Sequence, residues 1–159
     1  MKTMIGAFLV ALVGAVPLHG YSESDVESLS PGLRALLKQE MVAIQDGMKN
    51  MVPAFASGDL TEVSAIAGRI SQSFILKQAI TEAQNKELHE TLSKDFLAKD
   101  RQFHQYADML EHVSKEGHAE LVVFYYSKLM ESCAGCHSEH ATHRFPAFTK
   151  APEKQGHHH

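Results

Sequence analysis

Apolar residues recur along this chain in steps of three and four over four long stretches, the period of an α-helix that buries one face. The first stretch runs through Leu33, Leu37, Met41, Ile44, Met48, Met51 or Val52, and Phe55. Pro31 stands where a helix-opening proline belongs and Ser30 before it is a candidate N-cap. Pro53 should bend or end this helix near Ala56, and Ser57-Gly58-Asp59 reads as a turn. A second stretch begins near Leu60, with Val63, Ile66, Ala67, Ile70 and Phe74 as its buried row. Thr81 and Gln84 match a capping box that opens a short extra turn or helix to about Thr91. The third long stretch starts at Ser93 or Lys94 and carries Phe96, Phe103, Ala107, Leu110 and Val113 or Ser114 on one face, with Gly117 as the break. The last runs from about His118 through Leu121, Phe124, Tyr125, Leu129 and Met130 into Cys133. No segment of useful length alternates with period two. The expectation is an all-α fold, an antiparallel up-down-up-down four-helix bundle whose long helices are joined by short turns.

The two ends of the chain read differently. Residues 1–20 have the plan of a secretory signal peptide: Lys2 is the positive start, Met4–Val16 is uncharged and too short to span a bilayer, and cleavage is expected after Gly20. Residues 21–30 are a polar, acidic leader, counted with the bundle as one domain over 21–145. Residues 146–159 lack periodicity and are expected to be a disordered tail; His157, His158 and His159 read as a tag remnant or as a metal-binding end. Removing 20 of 159 residues leaves 139, which suits one domain with one core. Loss of Lys2, the one charged residue of the signal, takes the net charge from −4 to −5. No basic stripe is present to neutralise phosphates, so nucleic acid is not an expected partner. With no second long apolar run, the mature chain is expected to stay out of the membrane.

Both cysteines of the chain lie in Cys133-Ala134-Gly135-Cys136-His137. On a helix Cys133, Cys136 and His137 fall at i, i+3 and i+4, on one face. Two thiols at this spacing can each add across a haem vinyl group while the adjacent imidazole reaches the iron, the requirement of c-type haem attachment. A thioredoxin-like redox pair would want a βαβ context that the pattern lacks. A zinc site could recruit His137, His140 or His143, but ligands along one helix face converge poorly on a tetrahedral ion. A structural disulfide closing so short a loop would stabilise little. Haem c is attached on the oxidising side of a membrane, so the export signal and the motif support one another.

A haem motif on the last helix of a predicted bundle, close to the C-terminus, resembles the cytochrome c′ family, the class II cytochromes c. The resemblance covers roughly Pro31 to Phe145. It rests on Cys133, Cys136 and His137, and more softly on Met41-x-x-Ile44-x-x-x-Met48 followed by Gly58-Asp59. It implies one covalent haem c packed between the helices, His137 as proximal iron ligand, and a first-helix side chain over the open side of the iron. The landmarks put Met41 there, which points to a low-spin member with Met/His ligation. Periodicity alone makes Met41 a core filler. His104, beside the apolar row of the third helix, is the rival distal ligand; otherwise it is a half-exposed histidine bonded to a neighbour. The family's arginine one turn before the distal residue is replaced by Leu37, with Lys38 beside it. The aromatic and arginine that follow the haem histidine are replaced by His140 and Ala141, with Arg144 nearby. Lys38 and Arg144 are therefore candidate partners of the haem propionates. His140 and His143 are expected on the proximal side, at the haem edge or facing solvent. The family also implies a homodimer through the first two helices, although Val63, Ile66 and Ile70 serve equally well as intramolecular core.

The function expected from this reading is that of a periplasmic monohaem electron carrier serving redox partner proteins. No bond in a substrate would be made or broken, so it would not be an enzyme. The alternative is a cytochrome c′ with five-coordinate iron that binds nitric oxide or carbon monoxide. A small zinc or copper module is the third reading.

Overall fold

In the computed structural model of the chain, residues 25–148 are described; the expected signal peptide and residues 149–159 lie outside them. Helix α1 (Pro31–Ala56) opens as its sequence demands, with Pro31 at the first position and the Ser30 hydroxyl accepting from the Leu33 N–H at 3.4 Å. It ends at Ala56, the bound expected from the sequence. Pro53 falls in the last turn, where its missing N–H forfeits a single helix bond. Gly58 then takes a left-handed φ of 78°, and Asp59 caps helix α2 (Leu60–Ser71) by accepting from the Glu62 N–H at 3.0 Å.

Helix α2 stops three residues short of Phe74, which packs against the core from beyond the helix end. The connection that follows is not the short turn of an idealised bundle. It holds a one-turn helix α3 (Leu76–Ala79) and then helix α4 (Glu82–Thr91), opened by the complete capping box of Thr81 and Gln84. Helix α5 (Lys94–Lys115) is capped by Ser93. Gly117, at φ 77°, turns the chain into helix α6 (Ala119–His140). Two 3-10 turns, Asp25–Ser28 and Pro146–Phe148, flank the helices. The fold is all-α, and among the described residues no strand occurs. The second 3-10 turn packs against α6. The expected irregular tail therefore begins with three structured residues, because a cluster of aromatic rings gives them something to pack on.

The main packing runs α1 on α2, α2 on α5 and α5 on α6. Its core joins Met48 and Met51 of α1, Val63, Ile66 and Ile70 of α2, Leu110 and Val113 of α5, and Val122 and Leu129 of α6. Val63, Ile66 and Ile70 are thus intramolecular core and offer no surface to a second copy. Gly47 permits the close approach of α1 to α2: a Cβ there would lie 3.2 Å from the Phe74 ring and 3.3 Å from Ile66. A second cluster of Leu29, Leu33, Leu88 and Leu92 seals the start of α1 beneath α4. Helix α6 departs from the expected pattern. Of its apolar residues only Val122 and Leu129 are buried, whereas Leu121, Phe124 and Met130 are exposed. A helix that packs closely on one long neighbour buries a narrow face. No helix among the described residues is long and apolar enough to cross a membrane.

One buried polar group governs the connection. Glu40 of α1 is 2% exposed, and its carboxylate accepts from the N–H groups of Phe74 at 2.9 Å, Ile75 at 2.6 Å and Leu76 at 3.0 Å. These are donors that the start of a helix leaves unpaired. Glu40→Ala would strand them away from water. The expected loss is about 2–3 kcal/mol, read as a lower urea midpoint at unchanged slope, whereas Gln39→Ala on the exposed side should move the midpoint little.

Candidate functional site

The motif lies in the last two turns of α6, where helical spacing sets Cys133, Cys136 and His137 along one side. All three are half-buried, and both cysteines are free thiols. Gly135 keeps the surface between them low: a Cβ added there would meet nothing within 4 Å. Cys136 opens on a cleft of about 190 Å³ between α5 and α6, lined also by Lys99, Gln102, Tyr106, Lys128 and Ser132. Burial raises the Cys133 thiol pKa, and burial reinforced by the Asp100 charge pushes that of Cys136 up to about 11. Both sulfurs are therefore protonated and inert near neutrality.

His137 is set by the chain that follows it. Its imidazole stacks face to face on Phe145, with ring centroids 4.1 Å apart and planes 5° from parallel. Phe148 closes the group from 6.4 Å. Burial holds the His137 pKa below the ordinary histidine value, so the ring is neutral, the form that ligates a metal. Sequence reasoning missed Phe145 as a partner, since it lies beyond the helix end at His140 and only the turn at 141–145 brings it back.

The other candidates sort by their partners. Met41 is not core packing: it is 41% exposed, on the edge of the buried face of α1. Val52 on α1, and Val123 and Met130 on α6, are also apolar and exposed. Helices α1 and α6 are not among the closely packed pairs, and the Tyr126 hydroxyl bridges them by donating to the Met48 carbonyl at 3.4 Å. His104 has both ring nitrogens turned to protein, Nδ1 2.8 Å from the Ile70 carbonyl and Nε2 3.6 Å from Asp100. Burial works to lower its pKa, but Asp100 and the Ile70 carbonyl outweigh burial and raise it. That arrangement suits a link between α5 and α2. Lys38 lines a cleft on α1 with Val42 and Ile75, and Arg144 lies beside His143, 3.7 Å from Glu27.

Of the histidines that a zinc site would recruit, His140 and His143 are engaged elsewhere. His140 Nε2 is 3.1 Å from Asp95 and its ring stands edge-on to Phe96, while His143 Nε2 is 3.0 Å from Glu27. Among the described residues the group close enough to share an ion is Asp95, Glu139 and His140, without either cysteine. Lys99 already pairs with both of its carboxylates, at 2.9 Å from Asp95 and 3.0 Å from Glu139. The donor set on the motif face is instead two thiols and one neutral imidazole beside uncovered apolar surface. A haem attached through two thioethers is a group that such a set fits. Compared with protein-family models, curated proteins and solved structures, the chain matches none.

A thiol raised in the folded state has a definite pH signature. Above the ordinary thiol value of 9.0 the unfolded chain loses the Cys136 proton while the folded chain keeps it to about 11. Folding stability of the haem-free chain should therefore fall as pH rises through that window. At pH 8 the alkylation of Cys136 by iodoacetamide should be roughly a hundredfold slower in the folded chain than in urea, as measured by mass spectrometry of the modified peptide.

Proposed function

We propose that this protein is an exported monohaem c-type cytochrome that carries electrons between periplasmic partner proteins. The observation that carries the proposal is the pairing of two free thiols and a neutral imidazole on one side of α6 with the exposed apolar residues Val123 and Met130 of the same helix. Bound there, haem c would supply a one-electron iron couple. Cys133 and Cys136 would hold the porphyrin edge as thioethers, and His137 would offer its imidazole to the iron. Val123 and Met130 would exclude water from one flank, which favours electron transfer without exchange of ligands.

Helix direction supports Met41 as the opposing ligand. Glu27 meets His143, and further along Met48 meets Tyr126, so residue numbers rise on one segment as they fall on the other. The same opposition holds for α5 and α6, where Asp95 meets His140 and Tyr106 faces Tyr125. In α2 and α5, Ile70 meets His104, while Gly68 lies against Glu111. We take these contacts as support for the antiparallel up-down-up-down arrangement of α1, α2, α5 and α6. In such a pair, Met41 lies seven residues before Met48 and Cys133 seven residues after Tyr126. Each interval is about 10 Å of helix axis. On this reading Met41, which is exposed, would come level with the attachment motif. A thioether there favours ferrous iron and a raised potential.

The test begins with expression in a host able to attach haem c. Wild-type protein should retain its haem through acid–acetone extraction, and Cys133→Ala with Cys136→Ala should lose it; covalent haem by mass in the double variant would refute attachment. His137→Ala should keep covalent haem but change spin state. For the distal side, Met41→Leu preserves volume and removes the sulfur. The ferric spectrum should turn high-spin and the ferrous form should bind carbon monoxide, with the potential falling. A low-spin spectrum unchanged in Met41→Leu would exclude Met41 as ligand. A wild-type protein already high-spin and open to carbon monoxide would select the gas-binding reading instead.

A further inference from the structure

The segment after α6 is built as a strap across the imidazole of His137. Its backbone folds back on itself: the Arg144 and Phe145 N–H groups donate to the Ala141 carbonyl at 2.9 and 3.1 Å, and Phe148 N–H donates to the Phe145 carbonyl at 3.0 Å. This turn lays the Phe145 ring flat on His137. The far side of the strap is tied down. Glu27, in the 3-10 turn before α1, meets His143 at 3.0 Å, Arg144 at 3.7 Å and Arg34 at 3.0 Å. One carboxylate thus gathers three basic groups and anchors both ends of the described chain together.

We propose that Phe145 is a positioning residue for His137, fixing the plane in which the imidazole is presented to the iron. The proposal rests on the haem reading above. A face-to-face stack leaves the edge nitrogens of the imidazole free while blocking rotation about the bond that joins the ring to its Cβ. The rings that Phe145 meets are those of His137 and Phe148, so its role is assigned to the imidazole and not to attachment. At 37% exposed it also lies outside the core, and replacing it should leave the helices intact.

Two measurements test this. In the haem-free chain, the ring current of Phe145 should move the His137 ring protons upfield, and Phe145→Leu should return them to ordinary positions at unchanged helical circular dichroism. In the ferric haem-loaded protein, the spread of the paramagnetically shifted haem methyl resonances reports the plane of the axial imidazole. Phe145→Leu should alter that spread, and Phe145→Tyr, which keeps the flat ring, should restore it. Haem-free spectra without an upfield shift would overturn the stack. A haem methyl pattern unchanged in Phe145→Leu would overturn the positioning role while the haem reading stands. A wild-type chain that takes up no covalent haem would overturn that reading, and this role with it.

Discussion

The carboxylate of Glu40, buried in α1, is the constraint on which the rest of the arrangement depends. A lone buried carboxylate is costly unless its oxygens are saturated, and here three successive backbone N–H groups at residues 74–76 do so. The bond set holds the end of the α2 connection against α1. From that point α3 and α4 are directed over the start of α1, where Leu88 and Leu92 meet Leu29 and Leu33. Ser30, which caps α1, also hydrogen-bonds to Glu87 of α4 through its hydroxyl at 3.0 Å. The beginning of α5 is placed by the same cluster, since Phe96 and Leu97 pack on it. Asp95 and Lys99 then reach the end of α6 through His140 and Glu139. A path of contacts therefore leads from Glu40 to the helix end that carries the motif.

Packing is uneven around the four long helices, and the unevenness concerns function. Each of α2 and α5 is held on two sides, so its apolar stripe is consumed by neighbours. Helices α1 and α6 stand at the two ends of that series and keep apolar residues uncovered. Exposed apolar side chains on a single domain are common one at a time. Here Met41 and Val52 on α1 and Val123 and Met130 on α6 are all exposed, and α6 also carries the only two thiols of the sequence. The haem proposed for this protein would convert such surface into core, and would then complete the bundle as well as supply the chemistry.

Much of the fold was legible in the sequence because the signals were local. Helix bounds followed from Pro31, the Ser30 cap and the Thr81–Gln84 box, and the structure adds Asp59 and Ser93 as caps that likewise bond to residues three away. The grouping of Cys133, Cys136 and His137 on one side of a helix needs only the helical repeat. Periodicity could not say which faces would find a neighbour. It assigned Leu121, Phe124 and Met130 to the core, yet α6 packs closely on α5 alone among the long helices, and all three stay exposed.

The sequence by itself determined the helices, their caps and the donor set of the motif, because these depend on near neighbours and on residue chemistry. Only the tertiary structure decided that Glu40 is buried beneath a turn 34 residues away, that His104 spends its nitrogens on Ile70 and Asp100, and that Phe145 returns to lie on His137. Those contacts join residues with no shared period, so their formation depends on how whole helices settle against one another. The same holds for the open side of α6, which exists because packing energy was satisfied elsewhere.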